Sequence, residues 1–169
     1  TAFVVNSRAV RDHFVAVDGL RPDRFHVIPN GLDVAAIPFT AGRDQPPRVV
    51  QVGNLNRAVK RADLFVRACA AVRDVVPDAR WQLVGDGVLR PALEALAGEL
   101  GVADRVEFLG RRDDVGAVLA GAAVGVNCSD SEGFSNAVLE SMLAGCAVVA
   151  TDVGGNRELV TPDVDGVLV

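Results

Sequence analysis

The 169-residue sequence predicts an α/β fold built on a doubly wound parallel sheet, and three observations carry that prediction. Apolar runs at residues 49–52, 81–84, 106–109, 122–126 and 147–150 have the length and composition of buried strands. Between them the apolar residues switch to helical spacing, most clearly in Leu64, Ala68, Ala71, Val72 and Val75 and in Leu89, Leu93, Leu96 and Leu100. Half of the chain is apolar (50%), enough to bury one full core and cover both faces of such a sheet. Ligands of these sheets sit beyond the carboxyl ends of the strands, here Gly53, Gly85, Gly110, Asn127 and, after the last, Thr151.

Ahead of this pattern, Phe3, Val4 and Val5 read as a strand. Ser7 can cap a helix whose apolar face is Val10, Phe14, Val15 and Val17, ending at Gly19. A second short strand follows at 25–28, then the turn signal Pro29-Asn30-Gly31. Pro29, Pro38, Pro46 and Pro47 mark 29–47 as a linker, which places a boundary near residue 40 between the end of one domain (1–40) and a second (41–169). The chain opens at Thr1 and stops within a strand-like Val167-Leu168-Val169, so a piece of a longer protein is expected.

Net charge −5 and a pI near 5.0 exclude a nucleic-acid polymer as partner, since that needs a dense basic footprint. Cys69, Cys128 and Cys146 sit in apolar runs without C-x-x-C spacing, which predicts buried thiols in a reducing cytoplasm rather than disulfides or a metal site. No signal segment and no apolar run near 18 residues is present, so no membrane span is expected. His13 and His26 read as structural or exposed.

The chemistry concentrates in Ser129-Asp130-Ser131-Glu132-Gly133-Phe134-Ser135-Asn136-Ala137-Val138-Leu139-Glu140. Gly133 permits an unusual turn, Ser135 or Asn136 can cap, and Val138, Leu139, Met142 and Leu143 recur at helical spacing, so a helix should start near residue 136. The backbone of Phe134, Ser135, Asn136, Ala137 and Val138 then suits a phosphate, because a helix start offers free N–H groups and a positive dipole end. Glu140 would lie roughly 6 Å along the axis from that anion, in reach of an adjoining ribose diol. Glu132 would face whatever the distal phosphate carries, and a sugar supplies the hydroxyls it wants. The pattern suggests a nucleotide-sugar. Opposite the helix start, Arg57, Lys60 and Arg61 place three cations in five residues after a strand, able to hold a pyrophosphate or simply to begin the next helix in solvent. Gly85-Asp86-Gly87 lacks the third glycine of the dinucleotide fingerprint, which disfavours NAD. Gly110 and Arg111 end a strand where the backbone can read a base edge and Arg111 can pack over it. Asp130 has no third hard ligand to join it and Glu132, so it reads as a loop cap rather than a metal ligand.

The run E-G-F-S-N-A-V-L-E, followed by S-M-L-A-G-C-A-V-V-A-T-D-V-G-G-N-R-E, resembles the signature of the family 4 retaining glycosyltransferases. The resemblance implies a Rossmann-like doubly wound sheet that forms the donor-binding half of a GT-B glycosyltransferase. It implies transfer from a nucleoside diphosphate-sugar, UDP- or GDP-linked, with no metal or other cofactor. It also implies an acceptor bound by a preceding domain almost wholly absent here, of which Asn6-Ser7 and residues 27–33 resemble the end, and peripheral membrane association of the full-length protein. In that frame Glu132, Lys60 and Arg57 are the catalytic candidates, and Glu140, Gly110, Arg111, Asn54 and residues 133–138 bind the donor. Lys60 matches the family's lysine. The family's arginine often follows the glycine directly, where this chain has Asn54, so Arg57 stands in by proximity. Two other classes stay open: a Rossmann-like enzyme using a nicotinamide or methyl donor, and a non-catalytic nucleotide-binding module.

Overall fold

The computed structural model describes residues 1–40 and 46–169; the expected boundary at residues 40–41 abuts 41–45, outside the described residues. Its strands are β1 (Phe3–Val5), β2 (Phe25–Val27), β3 (Arg48–Val52), β4 (Arg80–Val84), β5 (Val106–Gly110), β6 (Val124–Asn127), β7 (Ala147–Ala150) and β8 (Gly166–Leu168). The helices are α1 (Arg8–Asp18), α2 (Ala62–Val72), α3 (Arg90–Glu99), α4 (Val115–Ala120), α5 (Asn136–Leu143) and α6 (Asn156–Leu159). Six strands form one parallel sheet in the order β5-β4-β3-β6-β7-β8, while β1 and β2 pair as a separate parallel sheet.

Alternation along β3 explains the two covered faces. Val49 enters the cluster with Phe65, Val66, Trp81 and Leu93 beneath α2 and α3, and its neighbour Val50 enters the one with Val84, Leu119 and Cys146 on the opposite face. A third cluster, Val138, Val148, Ala150 and Val160, seats α5 and α6 against the far strands. At the edge, β5 runs one residue further than its apolar run suggests, because a register shift lets Gly110 pair with Val84. β6 starts at Val124, later than expected, because residues 122–123 complete the turn out of α4.

The helical pattern read for α2 is only partly its core face: Ala68 and Val72 pack against the core as half-buried residues. Leu64 and Val75 are 37% and 79% exposed, and the helix ends at Val72. Ala62, Phe65, Val66 and Cys69 form the deepest face, with Phe65 edge-on to Trp81 at 5.0 Å. Apolar residues surround this helix, so spacing alone does not fix its deepest face, and the one carrying the aromatic ring buries more surface.

At the N-terminus the Ser7 hydroxyl caps α1 by accepting from the Val10 N–H at 3.0 Å, and Gly19 ends it in the left-handed conformation. Phe14 stacks on Phe25, which stacks on Phe3, yet no residue of α1 is fully buried. The Glu158 carboxylate accepts from the first N–H groups of α1, Arg8 at 3.1 Å and Ala9 at 2.8 Å, tying this unit to α6.

Phe65→Ala should cost about 3–5 kcal/mol and Leu64→Ala well under 1 kcal/mol, measured by urea unfolding. Equal losses would restore Leu64 to the core face, as spacing favoured.

Candidate functional site

The order in which strands are added reverses between β3 and β6, which are parallel hydrogen-bonded neighbours. From there β4 and β5 build one way and β7 and β8 the other, so the loops leaving β3 and β6 diverge and open a crevice. The two loops are stapled together. The Asp130 N–H donates to the Val59 carbonyl at 2.9 Å, and the Arg61 guanidinium reaches Asp130 at 2.9 Å and Asp63 at 3.0 Å. Asp130 therefore serves that staple. Gln51, buried in β3, donates to the Lys60 carbonyl at 2.9 Å and fixes the base of the loop.

Lys60 and Glu132 meet in this crevice. Lys60 Nζ lies 2.7 Å from Glu132 Oε1, with the side chains 25% and 8% exposed. The sequence reading set the two at opposite ends of one donor; the structure makes them partners. Ser129 Oγ donates to the same oxygen at 2.7 Å and Asn127 Nδ2 at 3.0 Å. Burial pushes the Glu132 carboxyl up, but the hydrogen bonds from Asn127, Lys60 and Ser129 outweigh it and hold the group below its ordinary value. Oε2 has no partner among the described residues.

The helix starts where expected, with Ser135 as cap. Its hydroxyl accepts from the Val138 N–H at 3.4 Å, which removes Val138 from the expected phosphate cradle and leaves Phe134, Ser135, Asn136 and Ala137 with free N–H groups among the described residues. The Asn136 side chain is held by Asn30, whose Nδ2 donates to its Oδ1 at 2.7 Å. Gly133 does not take the unusual turn. What it needs is room, since a Cβ there would lie 3.2 Å from Val10 Cγ2 and 3.3 Å from Asn6 Oδ1. Behind it Gly154, at φ +47°, and Gly155 press their backbones on the loop, where added Cβ atoms would fall 1.9 Å from the Glu132 carbonyl and 2.1 Å from the Gly133 carbonyl.

Glu140 is partly buried one turn into α5, makes no side-chain hydrogen bond or ion pair among the described residues, and is raised above its ordinary value by burial. It is a carboxylate without a donor. Arg57 is exposed and likewise unpaired among the described residues. Asn54 turns back on its own loop, where its Oδ1 accepts from the Asn56 N–H at 2.8 Å. A cavity of about 390 Å³ beyond β3 and β4 is lined by Gly53, Asn54, Gly85 and Arg111 among others, so Asn54 and Arg111 do converge. Gly110 is not in its wall, and its carbonyl accepts from the Gly85 N–H at 2.8 Å, so it is not the free base-reading group expected.

Asn127, Ser129 and Asn156 are the residues sequence reasoning missed. The available signal was a polar residue closing an apolar strand, Asn127, which was read only as a strand end. The three cysteines are buried, with Cys128 pushed up to about 11 by burial. Among the described residues no three His, Cys, Asp or Glu side chains come together as a metal site.

The sheet order and the crevice at its reversal place the chain among the Rossmann-like α/β proteins. It belongs to the glycosyl transferases group 1, whose family model matches residues 46–169. Over 168 residues it is 32% identical to N-acetylgalactosamine-N,N'-diacetylbacillosaminyl-diphospho-undecaprenol 4-alpha-N-acetylgalactosaminyltransferase of Campylobacter jejuni, covering 97% of this chain and 45% of that protein. A D-inositol 3-phosphate glycosyltransferase of Nocardiopsis dassonvillei is 34% identical, with 96% and 42% covered. The crystal structure of Anabaena Alr3699/HepE in complex with UDP and glucose superposes with a TM-score of 0.87 at 27% identity, over 99% of this chain and 49% of that one. The chain thus spans about half the length of the relatives it matches, and its fold is one half of a GT-B glycosyltransferase.

Two glutamates set opposite pH dependences. Glu132 has a folded pKa below 4.5, so its contribution to stability is present above that value and is lost as pH falls through the lower folded value. Glu140 is raised, so above its folded value the buried charge costs stability. In thermal melts, Glu132→Gln should lower the midpoint at pH 7 and flatten the acid-side loss, whereas Glu140→Gln should raise the midpoint at pH 7. A Glu140→Gln melt at or below wild type would mean that the carboxylate has a partner in the fold.

Proposed function

We propose that this chain is the donor-binding part of a retaining glycosyltransferase of the family 4 type, taking a sugar from a nucleoside diphosphate to an acceptor held by the rest of the protein. The observation that carries the reading is the Lys60–Glu132 pair set beside the free N–H groups that open α5. An ammonium has three donors, so Lys60 can keep Glu132 and still reach a diphosphate. The N–H groups of Asn136 and Ala137 receive the same anion from the helix side, and the unpaired Arg57 adds charge from the loop. Charge that grows on the leaving diphosphate is met by donors already in place, which lowers the barrier to breaking the glycosidic bond. Glu132 Oε2 takes the hydroxyls of the sugar, Glu140 accepts from the ribose diol, and the cavity beneath Arg111 takes the base. The UDP complex of the Anabaena relative supports a UDP-sugar, with a GDP-sugar as the alternative. Binding requires no divalent metal.

Calorimetry on the chain with uridine, UDP and UDP-glucose tests this reading. Lys60→Ala should weaken UDP far more than uridine, and the difference should shrink with salt. Glu140→Ala should weaken all three by about 1–3 kcal/mol. Glu132→Gln frees Lys60, so UDP should hold or tighten while the ratio of UDP-glucose to UDP affinity falls. Equal losses of uridine and UDP in Lys60→Ala, or binding abolished by a chelator, would sink the proposal.

A further inference from the structure

Asn127 donates to Glu132 because its amide cannot turn round, and what prevents it lies further back. The Thr151 carbonyl can only accept, so Asn156 must present Nδ2 to it, at 3.0 Å. The second proton of that Nδ2 points to Asn127 at 3.2 Å, so the Asn127 atom it meets is Oδ1. The Ser129 N–H, which can only donate, meets the same Oδ1 at 3.3 Å. Asn127 is left with Nδ2 facing Glu132 Oε1 at 3.0 Å and Ser135 Oγ at 3.1 Å. Reversing the amide would set its oxygen against a carboxylate and its NH₂ against two donors.

We infer that Asn156 is a positioning residue for Glu132, acting through Asn127: it locks the Asn127 amide as a donor, which anchors Oε1 of the carboxylate and leaves Oε2 for the ligand. A second observation points the same way. Asn156 is wholly buried, yet its Oδ1 has no hydrogen-bond partner among the described residues. An unpaired buried carbonyl destabilises a fold, and an amide at this place is accounted for by its two donors rather than by packing. The relay also reaches the cap of α5, since Asn127 Nδ2 holds Ser135 Oγ, so one amide sets both the carboxylate and the helix start. That Glu132 acts on a donor sugar rests on the function proposed above; the relay from Thr151 to Glu132 does not.

The test is a side-chain NMR titration of the labelled chain without ligand. In the wild type the Glu132 carboxyl carbon should titrate below the usual range, and the side-chain NH₂ signals of Asn127 and Asn156 should both shift through that midpoint. Asn156→Ala should raise the Glu132 midpoint by roughly half a pH unit although it never touches the carboxylate. Asn127→Ala should raise it at least as far, and the double variant no further than Asn127→Ala alone. An Asn156→Ala chain that folds and titrates Glu132 like the wild type overturns the inference. If that variant fails to fold, the wild-type spectrum decides, because an Asn156 NH₂ signal that stays still through the Glu132 midpoint overturns it as well. A raised midpoint with an unchanged ratio of UDP-glucose to UDP affinity would uphold the relay and count against the proposed function instead.

Discussion

Burying a carboxylate is the constraint on which the rest of this structure depends. An ionised group at 8% exposure is tolerable only if fixed donors replace the water it has lost, and Glu132 collects three of them on one oxygen. Those donors come from three places in the sequence: the loop after β3, the last residue of β6, and the loop that follows it. They converge because β3 and β6 are neighbours where the winding reverses. Sheet order, more than any single contact, makes the ion pair.

The site loop is also held from behind and from the side by neighbouring elements. Gly154 and Gly155 bring the start of α6 to backbone distance from residues 132–133. Asn6 and Val10 close on Gly133, Asn30 holds Asn136, and Glu158 caps α1. The small N-terminal sheet is thus fastened to the motif from several directions, and the motif's geometry is a property of the whole chain.

Much of this was legible in the sequence, and the exceptions share a cause. Strand runs, the start of α5 and the Ser135 cap are local: one stretch of chain contains both the signal and the structure it makes. The pairing of Lys60 with Glu132 spans 72 residues, and spacing says nothing about which elements become neighbours. For α2, periodicity marked a helix but not its deepest face, which holds Phe65 edge-on to Trp81 from another element. Gly133 was correctly marked as special for the wrong reason, because its crowding comes from Asn6 and Val10, far off in the chain. The orientation of Asn127 was least accessible of all, since an amide has no polarity preference until its partners are known.

The cavity beyond β3 and β4 divides its residues in a way that bears on how such a protein can diversify. Two glycines stand in its wall, with Gly85 so close to Gly53 that a Cβ would fall 1.8 Å from the Gly53 carbonyl. Its exposed rim is side chain, including Asn54 and Arg111. Substitution of Gly85 presses on the start of the loop that carries Lys60, whereas Arg111 belongs to a separate loop that follows β5. Evolution is therefore free to rewrite what the cavity admits while inheriting the ion pair unchanged.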